Sequence, residues 1–169
     1  MDKIDFDSYQ FERSMLFCWP PWTGKTYKAK ELLKRYTNDS LHEDLITYTV
    51  NDAEFKQFVK SNMMIMRKHE DYATPITMYP LEMMLRCWLL LYDDIGVSDV
   101  SDAYIRDLTF VIDSRMNKAM PTIYTTNLSK KELQEKLDER IVSRMLYNTD
   151  VVMFSWADKR LATTNYFTY

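Results

Sequence analysis

The chain's strongest indication of its fold is the apolar run WLLLY at residues 88–92, which is followed directly by Asp93 and Asp94. An apolar run without polar interruption is typical of a strand that is buried on both faces in the middle of a parallel sheet. Parallel strands need crossover connections, which are usually helices. The run therefore predicts alternating strands and helices, and the two aspartates stand at the carboxyl end of a strand, where such sheets bind ligands.

Other segments fit this alternation. The β-branched, aromatic or apolar composition of short strands recurs at residues 14–18, 45–50, 121–126 and 151–154. Helical spacing of apolar residues is found at residues 25–36, from about 52 to 67, at 101–118 and from Ser129, where Glu132 completes a capping-box pattern. Residues 37–44 and 68–80 are predicted to be surface connections. We therefore predict an α/β fold with a five-stranded parallel sheet sandwiched between helices.

Length and composition limit the possible classes of protein. A chain of 169 residues, 46% of them hydrophobic, can build one domain with a real core and is short for two. The net charge of -3 gives no general attraction to nucleic acid, so such a contact needs a local basic patch. Cys18 and Cys87 lie far apart in apolar runs, which favours buried reduced thiols and a cytoplasmic protein. No apolar run approaches the ~20 residues of a membrane span.

The segment WPPWTGKT, residues 19–26, connects the first predicted strand to the first predicted helix. In that position its GKT ending is typical of a phosphate-binding loop. Lys25 would reach the β- and γ-phosphates, the Thr26 hydroxyl would bind Mg2+, and N–H groups at the helix start would face the phosphates. A lysine at an ordinary helix start is the alternative. The predicted nucleotide-contacting residues are Pro21, Trp22, Thr23, Gly24, Lys25, Thr26 and Tyr27.

Polar residues follow two further predicted strands. Asp93 would hold Mg2+, and Asp94 would polarise the attacking water. Acids that cap a turn are the alternative explanation for this pair. Asn127 closes the fourth strand, where its amide could orient the same water. Taken alone, a capping asparagine would be the simpler explanation.

Arg140 and Arg144 are four residues apart and share one face of a predicted helix. Either could cross a subunit boundary and stabilise negative charge on a neighbour's γ-phosphate, as an arginine finger does. Surface ion pairs with Asp138 or Glu139 are the alternative.

Three stretches carry a resemblance to a known family: LLLYDDIG at residues 89–96, TTNLS at 125–129 and ERIVSR at 139–144. They resemble the Walker B, sensor 1 and box VII motifs of AAA+ ATPases. The paired aspartates together with TTNLS look most like the replicative helicase loaders of the DnaC/DnaI type. The resemblance covers residues 14–161 and implies an AAA+ core at 14–169 after an N-terminal extension at 1–13. It also implies ATP and Mg2+ as cofactors.

The resemblance assigns roles to the candidate site residues. Asp93 would be the magnesium ligand with Thr26, Asp94 the water activator, Asn127 the sensor, and Arg144 the finger that acts in trans. The implied partners are a replicative helicase of the DnaB type or another loader, single-stranded DNA, and further copies of the chain in an oligomer or filament held through Arg144.

The region of residues 50–72 corresponds to the part of related loaders and initiators that can contact single-stranded DNA. Side chains there that could track a backbone or stack on bases are Phe55, Lys56, Phe58, Lys60, Arg67 and Lys68. An ordinary solvated helix with a Met-rich core stripe is the alternative.

The chain departs from the family pattern in three respects. About 13 residues precede the first strand, fewer than the helicase-binding domain of the loaders. No helical lid with a sensor 2 arginine follows the fifth strand. The family loop GxxGxGKT has become WPPWTGKT, and a bulky residue forced to positive φ costs roughly 1 to 2 kcal/mol. We expect Trp19 and Trp22 to weaken ATP binding by roughly one to three decades without abolishing it.

The leading interpretation is an ATP-hydrolysing helicase loader or loader-like replication accessory protein. A second is a non-hydrolysing interaction protein that uses Trp19 and Trp22 to bind a replication partner. A transposition helper ATPase of the IstB type shares the same motifs and stays open. A small P-loop kinase is disfavoured, because no arginine-rich lid follows the long helix at residues 101–118.

Overall fold

A computed structural model of the chain describes residues 4–39, 47–68, 75–97, 99–154 and 167–168. In these ranges the strands are β1 (Ser14–Cys18), β2 (Thr47–Asn51), β3 (Leu89–Asp93), β4 (Thr122–Thr126), β5 (Thr149–Met153) and β6 (Phe167–Thr168). The helices are α1 (Lys25–Asp39), α2 (Asp52–Lys68), α3 (Pro75–Arg86), α4 (Asp102–Asn117), α5 (Lys130–Leu137) and α6 (Glu139–Leu146). A helix follows each of the strands β1 to β4, as the sequence predicts.

The strands form one sheet in the order β2-β3-β4-β1-β5-β6. Strands β1 to β5 all run parallel to one another, which confirms the predicted five-stranded parallel sheet. Strand β6 pairs antiparallel with β5 and was not predicted, because a strand of two residues has no recognisable alternation. Since the parallel strands share one direction, the loops after β1, β3 and β4 meet at one edge of the sheet.

Side chains of the parallel strands alternate between two buried layers. On β3, Leu89 and Leu91 belong to one layer, whereas Leu90 and Tyr92 belong to the other. Burial on both faces explains why this strand has an uninterrupted apolar sequence. Trp88 was predicted to begin the strand but precedes it and is partly exposed.

The layer on the α1 side includes residues that precede β1. Ala29 of α1 is buried there together with Phe6 and Phe11. Phe6 packs edge-on against Phe17 of β1, with 5.9 Å between the ring centroids. Residues 4–13 thus contribute apolar side chains to the core.

Helices α2 to α6 pack on the other face of the sheet and contribute buried side chains to the opposite layer. The predicted surface connection at residues 68–80 is wrong in part, because α3 already begins at Pro75. Proline suits this position, since the first N–H of a helix has no partner within the helix. Residues 40–46 and 69–74 lie outside the described part of the chain. The capping box at Ser129 is confirmed, with Glu132 as its partner.

Arg115 of α4 is a fully buried arginine that ties together the starts of β3 and β4. Burial lowers the pKa of its guanidinium. It donates hydrogen bonds of 2.6 to 3.0 Å to the Thr122 hydroxyl and to the carbonyls of Met84, Cys87, Trp88 and Pro121.

Cys18 and Cys87 are buried thiols without a disulfide, as predicted. None of the described helices has the length and apolar character that crossing a membrane requires.

Candidate phosphate-binding site

The loop between β1 and α1 adopts a left-handed backbone where its sequence has tryptophan. The φ angle is 23° at Trp19, 62° at Trp22 and 89° at Gly24. Glycine adopts such angles freely, whereas a Cβ makes them unfavourable. Both tryptophans therefore occupy positions that favour glycine, as the sequence predicts.

Neither indole fills the loop. Trp22 is 82% exposed and Trp19 is 47% exposed. Beside the loop is a cleft of about 410 Å³ lined by Pro21, Trp22, Thr23, Gly24, Lys25, Thr26, Asp94 and Asn127. Of the residues predicted to contact the nucleotide, Tyr27 alone is absent from this lining, and it is 76% exposed. The cleft thus unites residues that follow three different strands.

Lys25, the first residue of α1, is buried at the inner side of this cleft. Its Nζ donates to the Pro20 carbonyl at 2.5 Å, and the Thr23 hydroxyl donates to the same carbonyl at 2.9 Å. Burial lowers the pKa of Lys25, and the nearby Asp94 carboxylate partly opposes this effect. The ammonium is therefore held inside the loop, close to where a phosphate chain would lie.

Asp93 is held by two threonine hydroxyls. Thr26 Oγ1 donates to Asp93 Oδ1 at 2.9 Å, and Thr125 Oγ1 donates to the same oxygen at 2.6 Å. Thr125 Oγ1 also accepts a hydrogen bond from the Asp94 backbone N–H at 2.9 Å. The two predicted magnesium ligands, Thr26 and Asp93, are thus direct neighbours.

Asp94 has a positive φ of 59°, and its side chain lines the cleft. Asn127 Nδ2 donates to Asp94 Oδ1 at 3.1 Å. Burial raises the pKa of Asp94 and the Asp93 charge adds to this, whereas Lys25 and the Asn127 hydrogen bond lower it. Because burial dominates, the pKa of Asp94 lies above that of an ordinary aspartate, which makes its carboxylate a better proton acceptor.

The side-chain oxygen atoms of Thr26 and Asp93 suit a hard divalent cation that binds together with a phosphate chain. Mg2+ prefers oxygen ligands and is usually held by one or two carboxylates together with substrate phosphates. Thr26 and Asp93 offer such oxygens at adjacent positions. The described residues contain no group of three or more His, Cys, Asp or Glu side chains that could hold a metal by themselves. The donors therefore suit a cation shared with a nucleotide.

Arg144 lies on α6, away from the cleft. Its Nη1 donates to Asp113 Oδ2 of α4 at 2.9 Å. The acids considered as its partners from sequence, Asp138 and Glu139, do not make this ion pair. Arg144 also lines a concavity together with residues at the starts of β1 and β4. It is thus near the amino ends of the strands, whereas the cleft lies at their carboxyl ends.

The predicted nucleic-acid surface on α2 is partly wrong. Phe55 and Phe58 are buried in the core and cannot stack on bases. Phe55 instead packs against Tyr92, with 5.7 Å between the ring centroids. Lys60 is exposed on this helix, whereas Lys56 is partly buried and lies 3.9 Å from the Asp99 carboxylate. The side chains of Arg67 and Lys68 lie outside the described residues.

Two groups at the site were missed in the sequence. Thr125 links Asp93 to the Asp94 backbone, and the Pro20 carbonyl holds Lys25. A signal for Thr125 exists, since a polar side chain buried at a strand end beside paired aspartates needs a hydrogen-bond partner. A backbone carbonyl gives no sequence signal.

No protein-family model matches the chain, and no curated protein matches its sequence. Solved structures match its fold. The chain is similar to the DnaC helicase loader, with a TM-score of 0.69 and 22% identity over 89% of this chain and 84% of that one. It is similar to DnaI, with a TM-score of 0.69 and 16% identity over 89% and 79%.

A further similar structure is the replication initiator DnaA bound to AMPPCP and single-stranded DNA. The TM-score is 0.71 and the identity is 13%, over 91% of this chain and 44% of that one. The chain thus spans less than half the length of DnaA. At these identities the likeness establishes the fold.

Proposed function

We propose that this chain, which has the AAA+ fold of the DnaC and DnaI loaders, binds and hydrolyses ATP with Mg2+ in support of DNA replication. The observation that carries the proposal is the meeting of Lys25, Thr26, Asp94 and Asn127 at one cleft. Asp93 joins them through its hydrogen bond from Thr26. These residues come from the ends of three different strands. A chance set of polar surface residues would not meet at one cleft in this way.

Lys25 is the residue that would bind the phosphates. Its present partner, the Pro20 carbonyl, is neutral, whereas phosphate oxygens are anionic and form stronger charge-assisted hydrogen bonds. ATP would therefore draw Lys25 from the carbonyl. The N–H groups at the start of α1 have no acceptor within the helix and favour an anion at the same place.

Asp94 and Asn127 would act on the water that attacks the γ-phosphate. The raised pKa of Asp94 suits proton acceptance, and the Asn127 amide fixes the carboxylate orientation. Thr26 and Asp93 would hold Mg2+, which neutralises charge on the phosphates when it is bound. Arg144 would complete the site of a neighbouring copy as an arginine finger, in an oligomer or filament.

A replicative helicase of the DnaB type or another loader is the proposed protein partner, and the likeness to DnaC and DnaI supports it. Single-stranded DNA is the proposed nucleic-acid ligand, supported by its presence in the similar DnaA structure. On this chain Lys60 of α2 is exposed for phosphate contacts.

The decisive experiment is a titration of the chain with Mg-ATP, followed by intrinsic tryptophan fluorescence. Trp22 lines the cleft, so phosphate binding should change its emission. The same titration of Lys25→Ala should give no saturable change. A native chain without a response, or a Lys25→Ala chain with an unaltered one, would contradict nucleotide binding.

Helicase partnership is tested separately by co-purification with a DnaB-type helicase, with and without ATP. Retention that depends on ATP and is lost in Lys25→Ala supports a loader. No retention under either condition contradicts the partner while leaving ATP binding intact.

A second candidate function is a non-hydrolysing protein that uses the same fold to bind a replication partner. The exposure and positive φ of Trp19 and Trp22 favour it, since large exposed aromatic side chains often mark interaction sites. This candidate predicts no measurable ATP turnover and partner binding that survives Asp94→Asn. Turnover that is lost in that variant would exclude it.

A further inference from the structure

Asp52 is a buried carboxyl group at the start of α2, and the chemistry proposed for the cleft does not use it. Only 2% of this residue is exposed. The hydroxyls of Tyr92 and Tyr104 both donate to Asp52 Oδ1, that of Tyr92 at 3.2 Å. The two hydroxyl oxygens are themselves 3.3 Å apart. One carboxyl oxygen thus connects α2, β3 and α4 inside the core.

Capping of α2 does not account for the position of Asp52. Asn51 precedes the helix, and its Oδ1 accepts a hydrogen bond of 2.9 Å from the Glu54 N–H. Glu54 Oε2 in turn accepts a hydrogen bond of 3.2 Å from the Asn51 N–H. These reciprocal bonds have the pattern of a capping box with asparagine at the cap. Because Asn51 and Glu54 cap the helix, the contact of Asp52 with the two tyrosines needs another explanation.

Tyr92 connects this carboxyl group to the cleft. It is the residue directly before Asp93 and Asp94, the paired acids of the candidate site. The register of β3 with β4 extends to Tyr92, which lies opposite Tyr124. The register of β3 with β2 extends one residue further, to Asp93 opposite Asn51. Tyr92 therefore occupies the last position at which β3 is paired on both sides.

The end of β3 is held from both faces of the sheet. Successive side chains of a strand point to opposite faces. On the face where α1 packs, Asp93 accepts hydrogen bonds from Thr26 and Thr125. On the other face, Tyr92 belongs to the second buried layer and donates to Asp52. Without the Tyr92 hydroxyl, side-chain hydrogen bonds would hold this strand end from one face only.

We propose that Asp52 is a positioning residue for the paired aspartates and acts on them through the Tyr92 hydroxyl. The inference rests on the proposed function, which gives Asp93 and Asp94 their roles. Polar side chains that are buried as deeply as these three are not needed for stability, since apolar residues of similar shape are often equally stable. A fully hydrogen-bonded network instead fixes one arrangement of the elements that it joins. Here those elements include the strand that carries both acids.

Hydrogen exchange tests this positioning in the chain without nucleotide. The Asp94 N–H donates to Thr125 Oγ1 at 2.9 Å, and the Ile95 N–H donates to the Thr125 carbonyl at 2.8 Å. In Tyr92→Phe both N–H groups should exchange at least about fivefold faster than in the native chain, measured by NMR. Unchanged exchange at both positions would overturn the proposal.

Tyr104→Phe is the matched control, because it removes a hydroxyl from the same carboxyl oxygen but from α4 instead of β3. This variant should accelerate exchange of the Ile105 N–H in the first turn of α4 more than that of the Asp94 N–H. The Phe154 N–H, which bonds to a carbonyl of β1, reports unfolding of the whole chain. If Tyr92→Phe accelerated Asp94 no more than Phe154, the role of the hydroxyl would be stability alone and the proposal would be wrong.

ATP turnover measures the consequence for the site. Small displacements of reacting groups cost up to about 10²-fold in rate, so Tyr92→Phe should reduce kcat roughly tenfold. KM for ATP should change less than about twofold, since Lys25 and Thr26 are intact. Tyr104→Phe should reduce kcat less than about threefold. Equal kcat values in the two variants would contradict an action through Tyr92.

A triple variant with Asp52→Leu, Tyr92→Phe and Tyr104→Phe separates positioning from stability. It removes both hydroxyls together with their acceptor and replaces them with apolar groups of similar shape. Its denaturant midpoint should therefore stay close to that of the native chain, whereas its kcat should fall roughly tenfold. A triple variant with the kcat of the native chain would overturn the proposal.

The inference and the proposed function fail in different ways. A native chain without ATP turnover contradicts the proposed function, while faster exchange at Asp94 in Tyr92→Phe still supports the anchoring of the strand end by Asp52. A native chain with turnover, together with unchanged exchange and kcat in Tyr92→Phe, contradicts the inference and leaves ATP hydrolysis standing.

Discussion

Asn127 and Asp94 are joined by a hydrogen bond of 3.1 Å from Nδ2 to Oδ1, although they follow two different strands. The strands involved, β4 and β3, are neighbours in the sheet. The Asp94 backbone is anchored by the hydrogen bond from its N–H to Thr125 Oγ1. The hydrogen bond from Asn127 fixes the orientation of the Asp94 carboxylate. Asn127 therefore acts on the Asp94 carboxylate itself, in addition to any contact with water.

This bond predicts a pH effect. The Asp94 carboxyl must be ionised to accept a proton, so ATP turnover should decrease as the pH drops below the pKa of Asp94. Because burial raises this pKa, the decrease should begin at a higher pH than for an ordinary aspartate. Asn127→Ala removes a group that lowers this pKa, so the acid limb of kcat should move to still higher pH. The pH profile of kcat measures this shift. Asn117→Ala, at the exposed end of α4, should leave the limb in place, and a shift to lower pH in Asn127→Ala would contradict the assignment.

Asp94→Asn separates binding from hydrolysis. Loss of the proton acceptor should reduce kcat by roughly 10²- to 10⁴-fold, while Mg-ATP affinity falls little because Lys25 and Thr26 are intact. Phosphate release and fluorescence titration measure the two quantities. Asp99→Asn, a change at an exposed aspartate outside the cleft, is the matched control. Full turnover in Asp94→Asn would exclude Asp94 as the base.

Trp22→Gly should stabilise the isolated chain. Relief of the left-handed strain contributes roughly 1 to 2 kcal/mol, and the added freedom of glycine in the unfolded state costs about 0.5 to 1 kcal/mol. Little buried area is lost, since Trp22 is 82% exposed. We expect a net gain of up to about 1.5 kcal/mol in the free energy of unfolding, measured in urea. Trp88→Gly, without a positive φ to relieve, should be destabilising, and a loss in both variants would show that the loop is unstrained.

Arg115→Ala should destabilise the fold by more than about 3 kcal/mol, because several buried carbonyls lose a donor at about 1 to 3 kcal/mol each. Arg115→Lys should restore less than half of this loss, since an ammonium cannot reproduce the spread of a guanidinium. Denaturant unfolding measures both. Arg106→Ala on the same helix, where the side chain is mostly exposed, should change stability by less than about 0.5 kcal/mol. A lysine variant as stable as the native chain would contradict the argument.

The parts of the fold that follow from local periodicity could be predicted from the sequence. Strand β3, the loop before Lys25 and the capping box at Ser129 depend on residues close together in the chain. The uninterrupted apolar sequence of β3 follows directly from the burial of this strand on both faces of the sheet. The candidate residues at the ends of β3 and β4 were expected to lie close together for the same reason, since parallel strands end at one edge of the sheet.

The parts that depend on distant partners could not be predicted. Arg144 pairs with Asp113, 31 positions away, rather than with an acid beside it. Arg115 has the sequence context of an exposed arginine on an amphipathic helix, yet its guanidinium donates to three carbonyls 27 to 31 positions away, those of Met84, Cys87 and Trp88. Phe55 could serve a DNA surface or the core, and its packing against Tyr92 is decided by tertiary structure alone.

If Arg144 acts on the cleft of a neighbouring copy, as proposed, the position of the cleft and of Arg144 at opposite ends of the strands gives the assembly a direction. In an open row of copies, the cleft of one terminal chain has no Arg144 from a neighbour beside it. At the other end of the row, the Arg144 of the terminal chain faces no cleft. An open row therefore contains one complete site fewer than it has chains, whereas in a closed ring every site is complete. Turnover per chain should consequently rise with the length of the row, and short rows should be the slowest.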